Sequence, residues 1–142
     1  TADCAILMID ARKGVLTQTK RHSIIVHMLG VKQIVLAINK MDLVNYTQDK
    51  FNSIKNDYDL FAQSIGINNI VAIPVSALNG DNITHSSSKM SWYQGPTLIG
   101  HLESTPVTPQ TNSDEFSMPV QWVNRPHLNF RGFASFVLYY QS

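Results

Sequence analysis

The residues whose types and spacing are best suited to chemistry are Asn39-Lys40-Met41-Asp42. They follow a short apolar run, residues 33–38, and so stand at the carboxyl end of a strand, where open α/β sheets bind their ligands. A carboxylate such as Asp42 only accepts hydrogen bonds, and it does so through two oxygens. Guanine presents adjacent N1–H and N2–H donors that a bidentate acceptor can meet. Adenine carries an acceptor at the matching ring nitrogen and would set lone pair against lone pair. Sites built on such bonds discriminate by ~10⁴–10⁵. Asn39 offers an amide that can bond a base edge or pin a neighbouring loop. The aliphatic stem of Lys40 can cover the face of a base while its ammonium reaches toward a ribose.

A second piece, Ser76-Ala77-Leu78, follows another apolar run at residues 70–75 and again falls at a strand's carboxyl end. The small Ala77 lets a backbone N–H come close to a base, where it could donate to guanine O6. The two pieces are about 35 residues apart, a separation that a strand-helix-strand crossover accommodates. Taken singly, Asn-Lys-x-Asp is also a helix-entry turn and Ser-Ala-Leu a strand terminus. Their order, each after a buried strand, is what joins them into one base-reading site.

Elements that would position these residues can be read around them. Residues 4–9, 33–38 and 70–75 are continuous apolar runs rather than alternating ones, as strands covered on both faces of a parallel sheet should be. Residues 17–29 read as a helix with Ile24, Ile25, Met28 and Leu29 on one face, ending at Gly30. Residues 47–65 read as a second helix, with Phe51, Ile54, Tyr58, Phe61, Ala62 and Ile65 on its apolar face, Thr47 as N-cap and Gly66 beyond its end. Strand and helix alternate as in an α/β domain. Residues 79–95 lose periodicity and turn polar, which predicts a long surface loop. Pro96 then opens a short helix with Leu98, Ile99 and Leu102 on one side.

Composition narrows the function classes. The 142 residues carry a formal charge of +1, and only 15% are charged against a usual ~25%, so bulk electrostatic binding of nucleic acid or an anionic membrane is not expected. Cys4 is the single cysteine and cannot form an internal disulfide, which fits a reducing, cytoplasmic setting. No run reaches the ~18 apolar residues of a membrane span.

With these residues in place, the chain resembles the guanine-binding half of a translation-factor-type GTPase. Within that superfamily it is most similar to the large, GTP-binding subunits of sulfate adenylyltransferase. The broader likeness rests on Asn39 to Asp42 and on Ser76 to Leu78. The finer one rests on Ile9-Asp-Ala-Arg-Lys-Gly-Val15, Gln18-Thr19 with Arg21-His22, Ala37-Ile-Asn-Lys-Met-Asp-Leu43, Gly80-Asp-Asn82, Trp92-Tyr93 and Gly95-Pro-Thr-Leu98. Val123-Asn-Arg-Pro126 and Phe130-Arg-Gly-Phe133 extend it, whereas Ser135-Phe-Val-Leu-Tyr-Tyr140 departs from the family pattern.

The resemblance implies the C-terminal half of a P-loop GTPase domain over residues 1–107, a linker at 108–117, and the beginning of a β-barrel domain at 118–142. It implies GTP as ligand, with Asn39, Lys40, Met41, Asp42, Ser76, Ala77 and Leu78 at the base. Mg²⁺ is expected too, but none of its ligands lies in this sequence, and neither does the glycine-rich phosphate loop. The activity implied is the coupling of GTP hydrolysis to formation of adenosine 5′-phosphosulfate from ATP and sulfate, with a separate small catalytic subunit as partner and neither nucleic acid nor membrane. A translational elongation GTPase and a non-hydrolysing nucleotide-binding or structural piece are the alternatives.

The remaining candidates are weaker. The five histidines show no metal-ligand spacing. Arg12 and Lys13 read as a solvated turn, with a partner contact as the other option, and Trp92 with Tyr93 as a cover over the core. Asn45-Tyr46-Thr47 and Asn82-Ile83-Thr84 match the glycosylation pattern by chance. The abrupt ends read as those of an internal piece of a longer protein. In that piece the first strand is expected to show an open hydrogen-bonding edge, a template for association.

Overall fold

The computed structural model describes residues 4–104, 120–122 and 136–140. Three parallel strands form its centre: β1 (Cys4–Asp10), β2 (Gln33–Asn39) and β3 (Ile70–Pro74). Helix α1 (Thr17–Met28) connects the first pair and α2 (Gln48–Ile65) the second. Helix α3 (Leu98–Ser104) follows the long loop. Two further strands, β4 (Val120–Trp122) and β5 (Phe136–Tyr140), complete a five-stranded sheet of order β3-β2-β1-β5-β4.

The continuous apolar runs are explained by cover on both faces. On one face Ala5, Leu7 and Ile9 of β1 and Ile34, Leu36 and Ile38 of β2 pack with Val26 of α1 and with Phe51, Ile54, Tyr58 and Ala62 of α2. On the other, Cys4, Ile6, Val35, Ala37 and Ile73 pack with Leu98 and Leu102 of α3. Because successive strand residues point to opposite faces, each run has to be apolar throughout. Gly66 ends α2 in the left-handed conformation, φ 84°, and its N–H bonds the carbonyls of Ala62 and Gln63. Thr47 holds the N-cap position of α2, yet its hydroxyl donates back to the carbonyl of Val44 at 3.1 Å instead of capping the helix.

Three expectations change. In α1 the buried residues are Thr19, His22, Ser23 and Val26, while Ile24, Ile25, Met28 and Leu29 are exposed. The reason is a polar seam: Ser23 Oγ and the hydroxyl of the fully buried Tyr58 lie 2.9 Å apart, and Ser23 also donates to the carbonyl of Thr19. The edge of β1 is not open either. Strand β5 pairs antiparallel with it, from Cys4 opposite Tyr140 to Leu7 opposite Val137. A β-branched and aromatic segment supplies the partners that an apolar edge otherwise lacks. Third, β4 and β5, expected to open a β-barrel, lie instead on the same sheet as β1. The linker at 108–117 and the motifs at 123–126 and 130–133 lie outside the described residues.

Candidate functional site

Parallel pairing sets the site. Asp10 and Asn39 are register partners at the carboxyl ends of β1 and β2, and Ile38 pairs with Pro74 of β3. The chain therefore leaves all three strands at one edge of the sheet. Lys40 turns it sharply, standing in the left-handed region at φ 64°. For an L-residue that conformation costs ~1–2 kcal/mol, so something must hold it. The holding group is Asn39. Its Oδ1 accepts from the Lys40 N–H at 2.7 Å and from the Ala77 N–H at 3.0 Å, tying the end of β2 to the segment after β3.

A short 3-10 turn, Met41–Val44, follows. Met41 is buried in the core, and its N–H donates to the carbonyl of Val75 at 3.2 Å. Its side chain anchors the turn from beneath. Asp42 points to the other segment, where Ser76 Oγ donates to its Oδ1 at 2.8 Å. Ser76 is wholly buried, whereas Leu78 projects into solvent with 87% of its surface exposed. Asn39 and Asp42 are thus bonded to Ala77 and Ser76 respectively, and the two sequence pieces form one constellation. One assignment gains a complication: the Ala77 N–H, read as a donor for a base, is taken up by Asn39.

The loop at 79–95 is more ordered than its composition suggests. Asn82, with φ 56° and almost fully buried, donates to the carbonyl of Pro74 at 3.0 Å and accepts from the Ser87 N–H at 2.8 Å. With both ends of its amide engaged, it is no glycosylation acceptor in this fold. Trp92 and Tyr93 cover the core as expected, with ring centroids 5.4 and 6.2 Å from that of Phe51. Tyr46, which the sequence did not single out, clasps loop and turn together. Its hydroxyl donates to Asp81 Oδ2 at 2.9 Å and accepts from Asn79 Nδ2 at 3.2 Å, while Trp92 Nε1 donates to its carbonyl at 2.9 Å.

Charge gathers on the β1 side. Asp10 accepts from Arg12 Nε and Nη2 at 3.1 and 2.7 Å, from the Arg12 N–H at 2.9 Å and from Lys40 Nζ at 3.1 Å. Burial pushes the Asp10 carboxyl up, but the bonds from Arg12 and Lys40 outweigh it and bring the pKa to about 2. Arg12 is therefore an ion-pair partner as well as a solvated turn residue. Elsewhere, burial lowers the pKa of His22 and of His101. Among the described residues no group of three or more His, Cys, Asp or Glu side chains is placed to hold a metal ion. None of the described helices is long and apolar enough to cross a membrane.

Residues 1–120 match the elongation factor Tu GTP binding domain. The chain belongs to that family. The chain is also similar to proteins named sulfate adenylyltransferase subunit 1. The one from Saccharophagus degradans is 53% identical over 96% of this chain, which spans 29% of that relative. The one from Aliarcobacter butzleri is 55% identical over 94% of the chain and again 29% of the relative. The chain thus spans less than a third of the length of these curated relatives. Among solved structures, sup35 complexed with GDP superposes with a TM-score of 0.67 at 29% identity, covering 74% of this chain and 29% of that one. The GMPPNP complex of sup35 gives 0.68 at 29% identity, covering 75% and 30%.

Proposed function

We propose that this member of the elongation factor Tu GTP binding domain family reads the guanine base of GTP, as part of a GTP-binding subunit of sulfate adenylyltransferase. The observation that carries the reading is the joining of Asn39 and Asp42 to Ala77 and Ser76 at one sheet edge. Asp42 supplies the acceptor pair for guanine N1–H and N2–H. Its Oδ1 already accepts from Ser76, but each carboxylate oxygen has room for a second bond. Ser76 fixes the carboxylate's orientation before the base arrives. Guanine O6 then falls to the Ala77 N–H, which shares or exchanges its bond with Asn39 Oδ1 as the base enters. The stem of Lys40 covers the face of the base. Met41 and Leu78 contribute through backbone and surface respectively.

The broader activity is supported by the 53–55% identity to proteins named sulfate adenylyltransferase subunit 1, which favours this reading over a translational elongation GTPase. GTP hydrolysis drives formation of adenosine 5′-phosphosulfate from ATP and sulfate, and a separate small subunit performs the adenylyl transfer. Mg²⁺ accompanies the GTP phosphates, through ligands outside these residues. The setting is the cytoplasm. The test is to purify the full-length gene product with its small subunit and follow sulfate-dependent pyrophosphate release from ATP. Release that rises with GTP, and not with added ITP lacking the 2-amino group, supports the proposal. Equal rates with and without GTP overturn the coupling.

A further inference from the structure

The ion pair between Asp10 and Lys40 is unexplained by base reading alone. The two residues are 30 apart in sequence, yet parallel pairing of β1 with β2 puts Asp10 beside Asn39, and the left-handed turn at Lys40 sends its side chain back across that register. Nζ ends 3.1 Å from Asp10 Oδ2. The carboxylate itself is held rigidly. Arg12 grips it as a fork through Nε and Nη2, and the Arg12 backbone N–H adds a third bond. Behind it, the Asp10 carbonyl accepts from the N–H groups of Lys13 and Gly14 at 3.0 and 2.9 Å, and Gly14 takes the positive φ of 74° that closes this tight turn. The Asp10 side chain is 14% exposed, against 34% for Lys40 and 44% for Arg12, so the anion is the sheltered member and the cations lie over it.

The order of dependence follows from these contacts. The turn at residues 10–14 fixes Arg12, Arg12 fixes the Asp10 carboxylate, and the carboxylate fixes the ammonium at the end of a four-carbon stem. A free lysine stem samples many rotamers, and holding it costs up to ~2 kcal/mol of entropy. Here that cost is met before any ligand arrives.

We propose that Asp10 is the positioning residue for Lys40: by holding Nζ at the carboxyl end of β1 it lays the lysine stem along the wall of the base site, and so sets how long a guanine nucleotide stays bound. The inference rests on the reading of this site as guanine-binding. Arg12 acts one step further back, by holding Asp10. Because the stem meets the face of the base and not its edge, Asp10 governs residence time without governing the choice among purines.

A double-mutant cycle in the full-length gene product tests this, with release of N-methylanthraniloyl-GDP read by stopped-flow fluorescence. Asp10→Asn is expected to speed release about five- to ten-fold, the scale of a contacting pair, with association within about two-fold of the parent. The same factor is expected for the inosine analogue. In a Lys40→Met background, which keeps the stem and deletes the charge, Asp10→Asn should add less than about two-fold. Arg12→Ala should speed release in the parent by about two- to three-fold and not in Lys40→Met, which keeps the test alive if Asp10→Asn fails to fold. Equal factors in both backgrounds would show a general structural role and overturn the inference, as would unchanged release in the single variants. If the parent binds the GDP analogue and Asp10→Asn is silent, the positioning role alone falls. A parent that binds no guanine nucleotide overturns the base-reading proposal together with it.

Discussion

Replacing Asn39 by alanine removes the side-chain acceptor that bonds both the Lys40 and the Ala77 N–H groups, at the end of β2 and in the segment after β3. Two N–H groups lose their partner: that of Lys40, partly buried, at 2.7 Å, and that of Ala77, exposed, at 3.0 Å. A neutral hydrogen bond contributes ~0.5–1.5 kcal/mol, and an orphaned donor costs more the less water reaches it. The Ala77 N–H can turn to solvent, so its loss belongs at the lower end, ~0.5 kcal/mol. The Lys40 N–H belongs at the upper end, ~1.5 kcal/mol, because its residue stands at φ 64° and the bond holds that turn. Together they amount to about 2 kcal/mol, or about thirty-fold in the local opening equilibrium. Hydrogen-deuterium exchange of the nucleotide-free, full-length gene product reads this directly. Amides at residues 40–42 and 76–78 should exchange about thirty-fold faster in Asn39→Ala, while those of Leu36 and Leu7 in the strands stay at the parent rate. Asn39→Asp keeps an acceptor at the same place and should restore most of the protection. If Asn39→Ala exchanged like the parent, or if Asn39→Asp were as open as Asn39→Ala, Oδ1 would not be the brace described.

Two further predictions concern pH. The Asp10 carboxyl has a folded pKa of about 2, below the usual carboxylate value, so its contribution is fully present above pH ~4 and is lost as pH falls toward 2. Carbon-detected NMR titration should place it there, and Arg12→Ala should move it up; a carboxyl titrating near 4 in the parent would contradict the ion-pair geometry. His22 behaves in the opposite manner. It is buried, its Nδ1 has no hydrogen-bond partner among the described residues, and burial lowers its pKa. The unfolded chain therefore takes up the proton first, and stability falls as pH drops below ~6.5 toward the lowered folded value. Thermal unfolding between pH 7 and 5 should show this decline, and His22→Leu should flatten it; an unchanged slope in the variant would place the proton uptake elsewhere.

What could be read from the sequence was what short-range pattern controls. Continuous apolar runs located β1, β2 and β3 because both faces of the sheet are covered, and Gly66 marked the end of α2 because only a left-handed residue fits there. The two site segments were legible together because each follows a buried strand. The buried face of α1 was not legible. Ile24, Ile25, Met28 and Leu29 look like a core stripe, but the hydrogen bond between Ser23 and Tyr58 turns a polar face inward, and the two residues are 35 apart. The same limit hid Tyr46 and the Asp10–Lys40 pair, whose partners are set by strand register and loop closure and not by neighbours in sequence. Asn82 had a visible signal, since it stands in a short Gly-Asp-Asn turn, a setting in which asparagine takes the left-handed conformation and bonds backbone.

The central claim, that this sheet edge reads guanine through Asp42, is tested most directly by changing the base and the carboxylate together. In the full-length gene product, binding of GDP and of xanthosine diphosphate should be titrated for the parent and for Asp42→Asn. Xanthine carries a carbonyl where guanine carries its amine, so an amide donor at residue 42 complements it while the carboxylate repels it. The parent should prefer GDP and Asp42→Asn should reverse the preference, with GDP weakened at least about a hundred-fold. A variant that binds GDP as tightly as the parent would contradict it.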